Sequence, residues 1–541
     1  MSEAPLGSLV GLLRDEPAVM GALGDPSARI AVAEVARPVS IAALARLSAR
    51  RPLLVACATG TDAARLHDDL CQLLPAESVA LFPAWETLPF ERVSPAIETM
   101  GRRLEVLWRL QSEDCPRVVV AGVRALLQRL GPGANEVPVL EVAHGDVIDP
   151  EAIVRDLVAA GYRREELVEH RGEFARRGAI IDVFPSTADR PVRIDLWGDE
   201  VDRLTEFGVN DQRSIADVGA VRIFPARELT PDAAVRERAS SLVASDPWGR
   251  EQWERLAEGT HFDGMESWLP WLVDTDLLIT DLLPESARVL LVEPRRMRDR
   301  AADLIAEEDD LARTLAQTWA RDPEVSFPRL HVDPDRLLAG AGAFWTMDSA
   351  PESPDTPIVE SSGWGPVGGD LAGLTNRLRE LIAGGTRVVI AADGEGSANR
   401  IAESLLEHGL ELARATPATD LGASGGYVTV APIHRGWHLP RARVAVICEA
   451  DLTGRRRAHR RPRPRAATTT FEGLRPGSYV VHEHHGVGRY EGMVTRAIGG
   501  AERDYLLLAY KGADKLYVPS DQIGSLRPYI GGETPTLHRL G

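Results

Sequence analysis

Apolar positions along the chain change their period several times, and each change marks a boundary. Apolar spacing predicts a helix over Ile41–Arg50, a buried strand over Leu53–Ala58, and helices over Ala63–Leu74 and Ile97–Leu110. A strand over Val118–Ala121 and a helix over Val123–Leu130 continue the strand–helix alternation of an α/β unit. Residues 1–40 read as a helix followed by a polar connector. From Val137 the pattern shifts: after a helix over Pro150–Ala160, a period of two runs through Gly178–Phe184, Pro191–Trp197 and Val201–Val209, with turns at Asp189-Arg190 and Gly198-Asp199. That is an antiparallel sheet with one face free to meet a partner.

Residues 229–345 are mostly helical in pattern, with a strand at Val289–Val292, and Pro351–Gly369 is a Pro/Ser/Gly-rich connector. Helices over Leu371–Ala383 and Asn399–His408 and strands over Arg387–Ala392, Tyr427–Ala431 and Val444–Cys448 then make a compact α/β unit. Between Arg455 and Arg465 lie seven arginines, two prolines and no acidic residue, which reads as an extended tether. Arg455, Arg456, Arg457, Arg460 and Arg461 are candidates for phosphate contact, a solvated linker being the alternative. From Gly477 to Tyr529 short β-branched and apolar runs alternate with glycine turns at Gly486/Gly488, Gly499-Gly500 and Gly512. This predicts an antiparallel meander, in a segment whose size suits a small twisted barrel.

Composition narrows the functional classes. At 541 residues, 44% hydrophobic and 26% charged, the chain suits several globular domains. No apolar run reaches membrane-spanning length and the first twenty residues lack a basic flank, so neither a membrane protein nor a secreted one is expected; the expectation is cytoplasmic. Four scattered cysteines without a CxxC suggest neither a disulfide framework nor a zinc finger. His482 and His484 share one side of a strand, but no further ligand converges on them, and no metal is expected.

The net charge of −18 argues against a surface coated for DNA. The only lysines are Lys511 and Lys515. A P-loop needs a lysine to reach the β and γ phosphates, so no nucleotide motor is encoded in this chain. Ala58-Thr59-Gly60-Thr61-Asp62 occupies the strand-to-helix position of a phosphate loop with the wrong chemistry; it is either a phosphate scaffold that has lost its function or a plain strand-turn-helix. Gly394-Glu-Gly396 lacks the third glycine of a dinucleotide fingerprint. Ser424, in a literal G-x-S-x-G, leaves a loop and enters a strand, which is the wrong context for a nucleophile. No catalytic residue or cofactor is expected in this chain. Trp85 and Phe90, in the aromatic and proline-rich loop LFPAWETLPF, read as core anchors rather than base-stacking residues.

Two segments near the end, HGVGRYEGM and KLYVPSDQI, in this order and separated by Gly-Gly, resemble the RNA-polymerase-interacting domain of the bacterial transcription-repair coupling factor (Mfd) family, which shares its fold with the CarD family. The loop LFPAWETLPF and the elements after it resemble the first domain of the excision-repair protein UvrB, and GYRREELVEHRGEFARRGAIIDVFP resembles the UvrB domain that binds UvrA. The resemblance implies an α/β multidomain chain: a degenerate UvrB-like module (residues 1–135 and 229–350) interrupted by an antiparallel-sheet domain (136–228), a small α/β domain (351–453), an Arg-rich linker (454–475) and a small Tudor/CarD-like β-barrel (476–541).

By the same resemblance, Arg163, Phe174, Arg176 and Arg177 are expected to bind UvrA through ion pairs and an exposed apolar spot. Those arginines, interleaved with Glu165, Glu166, Glu169 and Glu173, equally describe a solvated face. Met493, Thr495, Arg496 and Ile498 are expected to bind the RNA polymerase β subunit by strand addition, with Arg496 at the family's apolar contact position and Ile498 supplying that contact instead. In the full-length family ATP and Mg serve a DNA translocase that follows the barrel, and DNA is engaged mainly through it, so this chain is expected to be an N-terminal adaptor for transcription-coupled nucleotide excision repair. The competing readings are a helicase-like repair enzyme, opposed by the lysine count, and a stand-alone DNA-binding protein, opposed by the charge.

Overall fold

The computed structural model describes residues 4–319, 327–338, 343–365, 371–416, 419–453, 477–482, 486–498, 501–511, 515–519 and 526–528. The chain is a mixed α/β multidomain protein whose sheets fall into two compact units, one of residues 1–304 and 328–458, the other of residues 305–327 and 459–541.

The first unit is built on a seven-stranded parallel sheet, ordered Ile358–Val359, Arg29–Val32, Phe344–Asp348, Arg288–Val292, Leu53–Cys57, Val118–Gly122, Val79–Phe82. Leu53–Cys57 and Val118–Gly122 are buried at every position, as continuous apolar runs in a doubly covered parallel sheet should be. Leu53, Val55 and Cys57 face helices Arg37–Leu47 and Gly60–Leu70, while Leu54 and Ala56 face helices Ile97–Leu110 and Val123–Leu127. Residues 1–40 differ from expectation: they hold two short helices, Gly7–Val10 and Pro17–Gly24, and the internal strand Arg29–Val32. A four-residue strand with two small or charged positions carries too little periodicity to be read ahead of the structure. The connector Pro351–Gly369 likewise contributes the edge strand Ile358–Val359.

Inserted in this module is an antiparallel domain whose entering strand Leu140–Ala143 pairs with its leaving strand Ala220–Ile223. Between them lies a six-stranded sheet, ordered Ser214–Asp217, Glu200–Phe207, Val192–Trp197, Ile180–Val183, Glu173–Arg177, Arg163–Arg164. The domain is anchored where it leaves. Glu228, 4% exposed, accepts from Arg103 Nε at 2.8 Å and Nη2 at 3.0 Å and from the indole of Trp85 at 2.7 Å. Arg103 also donates to the Pro83 carbonyl at 2.9 Å, and Tyr162 donates from its hydroxyl to the Phe224 carbonyl at 2.7 Å. Trp85 and Phe90 are both buried, as core anchors.

The third sheet is ordered Ala413–Arg414, Gly426–Val430, Arg387–Ala392, Val444–Cys448, Trp437–Leu439, with only the last strand antiparallel. Val388, Ile390 and Ala392 face its own helices, while Val389 and Ala391 join the core of the seven-stranded module. His434 fixes that junction, its Nδ1 lying 2.9 Å from Asp69 Oδ1 and its backbone N–H donating to the same oxygen.

In the second unit a five-stranded antiparallel sheet runs in the order Lys515–Pro519, Ala501–Ala509, Gly486–Ile498, Tyr479–His482, Leu526–Pro528. Among the described residues its two outer strands do not pair with each other, so the sheet is open and the expected closed barrel is not found. Gly486 and Gly488 lie inside a strand rather than in a turn; a Cβ at Gly488 would come within 2.9 Å of the Tyr510 ring, so close packing explains that glycine. Gly499-Gly500 and Gly512 fall outside the described residues.

Removing one partner of the buried Arg103–Glu228 pair strands the other charge. Arg103→Leu is expected to cost about 3–5 kcal/mol in urea unfolding of the first unit, whereas Arg203→Leu, in the exposed pair with Asp217, should leave the unfolding midpoint nearly unchanged.

Candidate protein-interaction surfaces

Strand alternation divides the inserted sheet into two chemically different faces. Phe174, Ile181, Val183, Val192, Ile194 and Leu196 point to one, where helix Pro150–Ala159 contributes Ile153 and Leu157 to a closed core. Cross-strand register puts Arg177, Ile180, Asp182, Arg193, Asp195 and Trp197 on the other. On that open face Asp182, with a side chain 1% exposed, accepts from Arg193 in a two-pronged pair, Nε at 2.7 Å and Nη2 at 3.0 Å, and pairs with Arg177 as well. The Asp182 carboxylate holds the Arg193 guanidinium above its ordinary pKa, and partial burial raises the Asp195 carboxyl against the lowering effect of Arg193. The Arg193 guanidinium also lies 4.8 Å from the Phe207 ring centre. Anchoring of this kind holds both cations in place; the remaining terminal nitrogen of Arg193 donates to the Gln212 carbonyl at 3.3 Å, so Arg177 is the more exposed of the two. One row away Trp197 is 81% exposed, and Val147, bridged to Glu200 opposite Trp197, is 79% exposed.

The four residues expected from the sequence are therefore split. Arg177 is half-exposed on the open face, and Arg163 is half-exposed on the edge strand against Glu173. Arg176 turns to the covered face and pairs with Glu151 of the covering helix. Phe174 is fully buried in the core and is no exposed apolar spot. The exposed apolar side chain on the Arg177 parity is Trp197, whereas Ala175 on that parity is buried in a second small cluster with Val168, Phe184 and Phe207. Sequence reasoning misses Arg193, Asp182 and Trp197, although the alternation in Val192-Arg-Ile-Asp-Leu-Trp197 carries the signal: the polar positions and the tryptophan share a parity.

In the second unit, Tyr479–His482 pairs with Gly486–Ile498 only as far as Arg489. Tyr490 donates its N–H to the Ser478 carbonyl at 2.8 Å, so its backbone polar groups face the Tyr479–His482 side. A one-residue register shift between Tyr490 and Gly492 reverses the alternation, so Met493, Thr495 and Ala497 turn their N–H groups to that same side. The opposite side pairs with Ala501–Ala509. Among the described residues nothing pairs with the outward side beyond Tyr490, and Met493 is 57% exposed. The side chains of Thr495, Arg496 and Ile498, and all of Arg455, Arg456, Arg457, Arg460 and Arg461, lie outside the described residues.

The phosphate-loop position is filled by protein chemistry. Thr59 Oγ1 caps helix Gly60–Leu70 by accepting from the Asp62 N–H at 3.0 Å, and the Asp62 carboxylate lies 3.5 Å from Arg296. An acidic side chain in the first helical turn repels the anion such a loop would hold. Among the described residues no group of three or more His, Cys, Asp or Glu side chains could hold a metal ion, and no helix is long and apolar enough to cross a membrane.

Three family profiles match the chain: the UvrB interaction domain over residues 140–229, the D3 domain of MFD over 384–452, and the CarD-like/TRCF RID domain over 474–530. The chain thus joins two interaction domains to a domain of the MFD type. Along its whole length it matches the N-terminal region of the transcription-repair-coupling factor family. It is 36% identical to the transcription-repair-coupling factor of Mycobacterium bovis over 595 aligned positions, covering 100% of this chain and 48% of the relative. Its identity to the Bacillus subtilis and Escherichia coli proteins of the same name is 29%, covering 94% and 91% of this chain and 45% and 44% of those relatives. The chain spans about half the length of the curated relatives it matches.

The two faces of the inserted sheet predict opposite mutational behaviour. Phe174→Ala should cost about 3–5 kcal/mol in chemical denaturation, and Trp197→Ala about 0.5 kcal/mol or less.

Proposed function

We propose that this chain is an adaptor of transcription-coupled nucleotide excision repair. Its inserted domain recruits UvrA through the open face bearing Arg177, Arg193 and Trp197, with Arg163 at the edge. Its C-terminal sheet holds the β subunit of RNA polymerase by strand addition along Met493–Ile498. The observation that carries the reading is the presence of a UvrB interaction domain and a CarD-like/TRCF RID domain on one chain similar to transcription-repair-coupling factors throughout.

The chemistry of each surface supports the same reading. Anchored arginines beside an exposed tryptophan make the composition typical of an interface hot spot. An outward row of backbone donors at a strand edge offers hydrogen bonds to a partner strand. DNA translocation driven by ATP and Mg belongs, in this reading, to sequence outside these 541 residues, because no lysine precedes Lys511.

In a calorimetric titration with UvrA, Arg177→Glu and Trp197→Ala should each weaken binding about tenfold or more, close to 1.4 kcal/mol; Trp197→Ala should leave the unfolding midpoint nearly unchanged, whereas Arg177→Glu sets a carboxylate against the buried Asp182 and is read with circular dichroism as its folding control. Parental affinity in both would move the interface off this face. For the second surface, Thr495→Pro removes an outward N–H without touching the ladder to Ala501–Ala509. Polymerase binding by Thr495→Pro, with circular dichroism as the folding control, should be lost, and Ile498→Ala should cost less. A folded Thr495→Pro variant that bound at parental affinity would place the contact elsewhere.

A further inference from the structure

Outside both surfaces, the amino-terminal edge of the seven-stranded sheet carries a concentration of arginines that neither role uses. Three neighbouring strands begin with Arg288, with Arg51 two residues before Leu53, and with Arg117 just before Val118. Their backbones are laced side by side: Arg51 donates to the Ser286 carbonyl, Arg288 to the Pro52 carbonyl, Leu53 to the Arg117 carbonyl and Arg117 to the Ser78 carbonyl, at 2.8–3.0 Å. Arg46, in the last turn of helix Arg37–Leu47, and Arg50 stand beside them, and Arg109 reaches the Glu77 carbonyl at the same edge.

None of these six side chains lies within ion-pair distance of a carboxylate among the described residues, and all but Arg51 lean on main-chain oxygen. Arg117 donates to the Ala45 carbonyl at 2.9 Å, Arg46 to the Gly7 carbonyl at 2.8 Å, Arg50 to the Glu285 carbonyl at 3.4 Å, and Arg288 to the Ala343 and Pro26 carbonyls at 2.9 and 3.0 Å. The nearby Asp114 carboxylate is taken by Arg222 at 2.5 Å. Burial first, and then the neighbouring Arg51 and Arg46, lower the pKa of Arg117, and burial followed by Arg50 lowers that of Arg288, so the cations lie close enough to repel.

Arginines that only neutralise carbonyls at helix ends would explain one or two donors each, but a guanidinium has five. In a chain of net charge −18, where arginines such as Arg103, Arg193 and Arg227 are matched to acids, a row of unmatched cations is a local reversal of the field. Strands about 4.8 Å apart place Arg288, Arg51 and Arg117 across roughly 10 Å, about the rise of three base pairs along the axis of a duplex. The only aromatic ring beneath the row among the described residues, Trp345 under Arg288, is 3% exposed, so no ring is offered to stack on an unpaired base.

We infer that this edge, through Arg46, Arg50, Arg51, Arg109, Arg117 and Arg288, is a sequence-independent docking surface for the phosphate backbone of duplex DNA. The test uses a fluorescently labelled 20-base-pair duplex and the whole chain, read by anisotropy from 50 to 200 mM salt, because such contacts weaken steeply with salt. The combined variant Arg46→Glu, Arg50→Glu and Arg51→Glu changes only exposed side chains. It should weaken binding at 50 mM salt tenfold or more and flatten the log–log salt slope by about 2 to 3. If it melts early, Arg50→Ser with Arg51→Ser provides a milder version with the same direction. Parental binding by a folded variant would overturn the inference. So would an absence of duplex binding by the parent at 50 mM salt, loss of all binding through Arg455→Ser, Arg456→Ser and Arg457→Ser alone, or capture of a polyglutamate peptide in place of DNA.

Discussion

The structure of the first unit depends on a buried cation–anion contact at the point where an inserted domain leaves its host. Glu228 and Arg103 are both sealed from solvent, and the cost of dehydrating them is offset by a two-pronged pair, the Trp85 indole and the Pro83 carbonyl. The neighbouring Arg227 makes the reverse arrangement, its guanidinium on Glu266 and Asp263, with Ser94 joining the same cluster. Two adjacent residues at the exit are thus tied in separate networks. Helix Ile97–Leu110 presses on the insert so closely that a Cβ at Gly101 would sit 2.4 Å from Ser186 Oγ. A sheet mounted this way is held by its base, and the part of its far face around Arg177 and Trp197 stays open, the rest being closed by the cluster of Val168, Ala175, Phe184 and Phe207.

That face solves a recurring problem of protein surfaces, which is how to keep long cationic side chains in place. Asp182 is buried under the sheet's own surface and holds Arg177 and Arg193 from below, so the entropy of ordering them is spent in folding rather than in binding. The C-terminal sheet works by a different principle. There, in the proposed reading, the outward backbone of Met493–Ile498 offers hydrogen bonds to a partner strand, and side chains refine the fit. Neither surface asks for nucleotide chemistry, and the capped turn at Thr59–Asp62 is consistent with a scaffold that keeps the shape of a nucleotide-binding fold without its charge.

Much of this is legible in the residues. Leu371–Ala383, Arg387–Ala392 and Val444–Cys448 have the limits expected from their apolar runs, and Pro150–Ala159 differs from expectation by one residue. The internal strand Arg29–Val32 is not, because four residues joined to distant parts of the chain carry no local period. The candidate site is legible only in part. A cluster of arginines in the sequence names the neighbourhood but not the parity, so it points outward to Phe174 and Arg176, which register turns inward, and gives no hint of Trp197, on the right parity two strands away. Cross-strand register is a tertiary fact, and it decides which side chains the partner can meet.

The central claim is that one chain presents two separate protein surfaces and can use both at once. Mass photometry of the chain mixed with RNA polymerase and UvrA, together and pairwise, tests it most directly. The account predicts a ternary species in addition to the two binary ones. Polymerase and UvrA that displaced each other from the chain, or failed to bind it at all, would contradict the account.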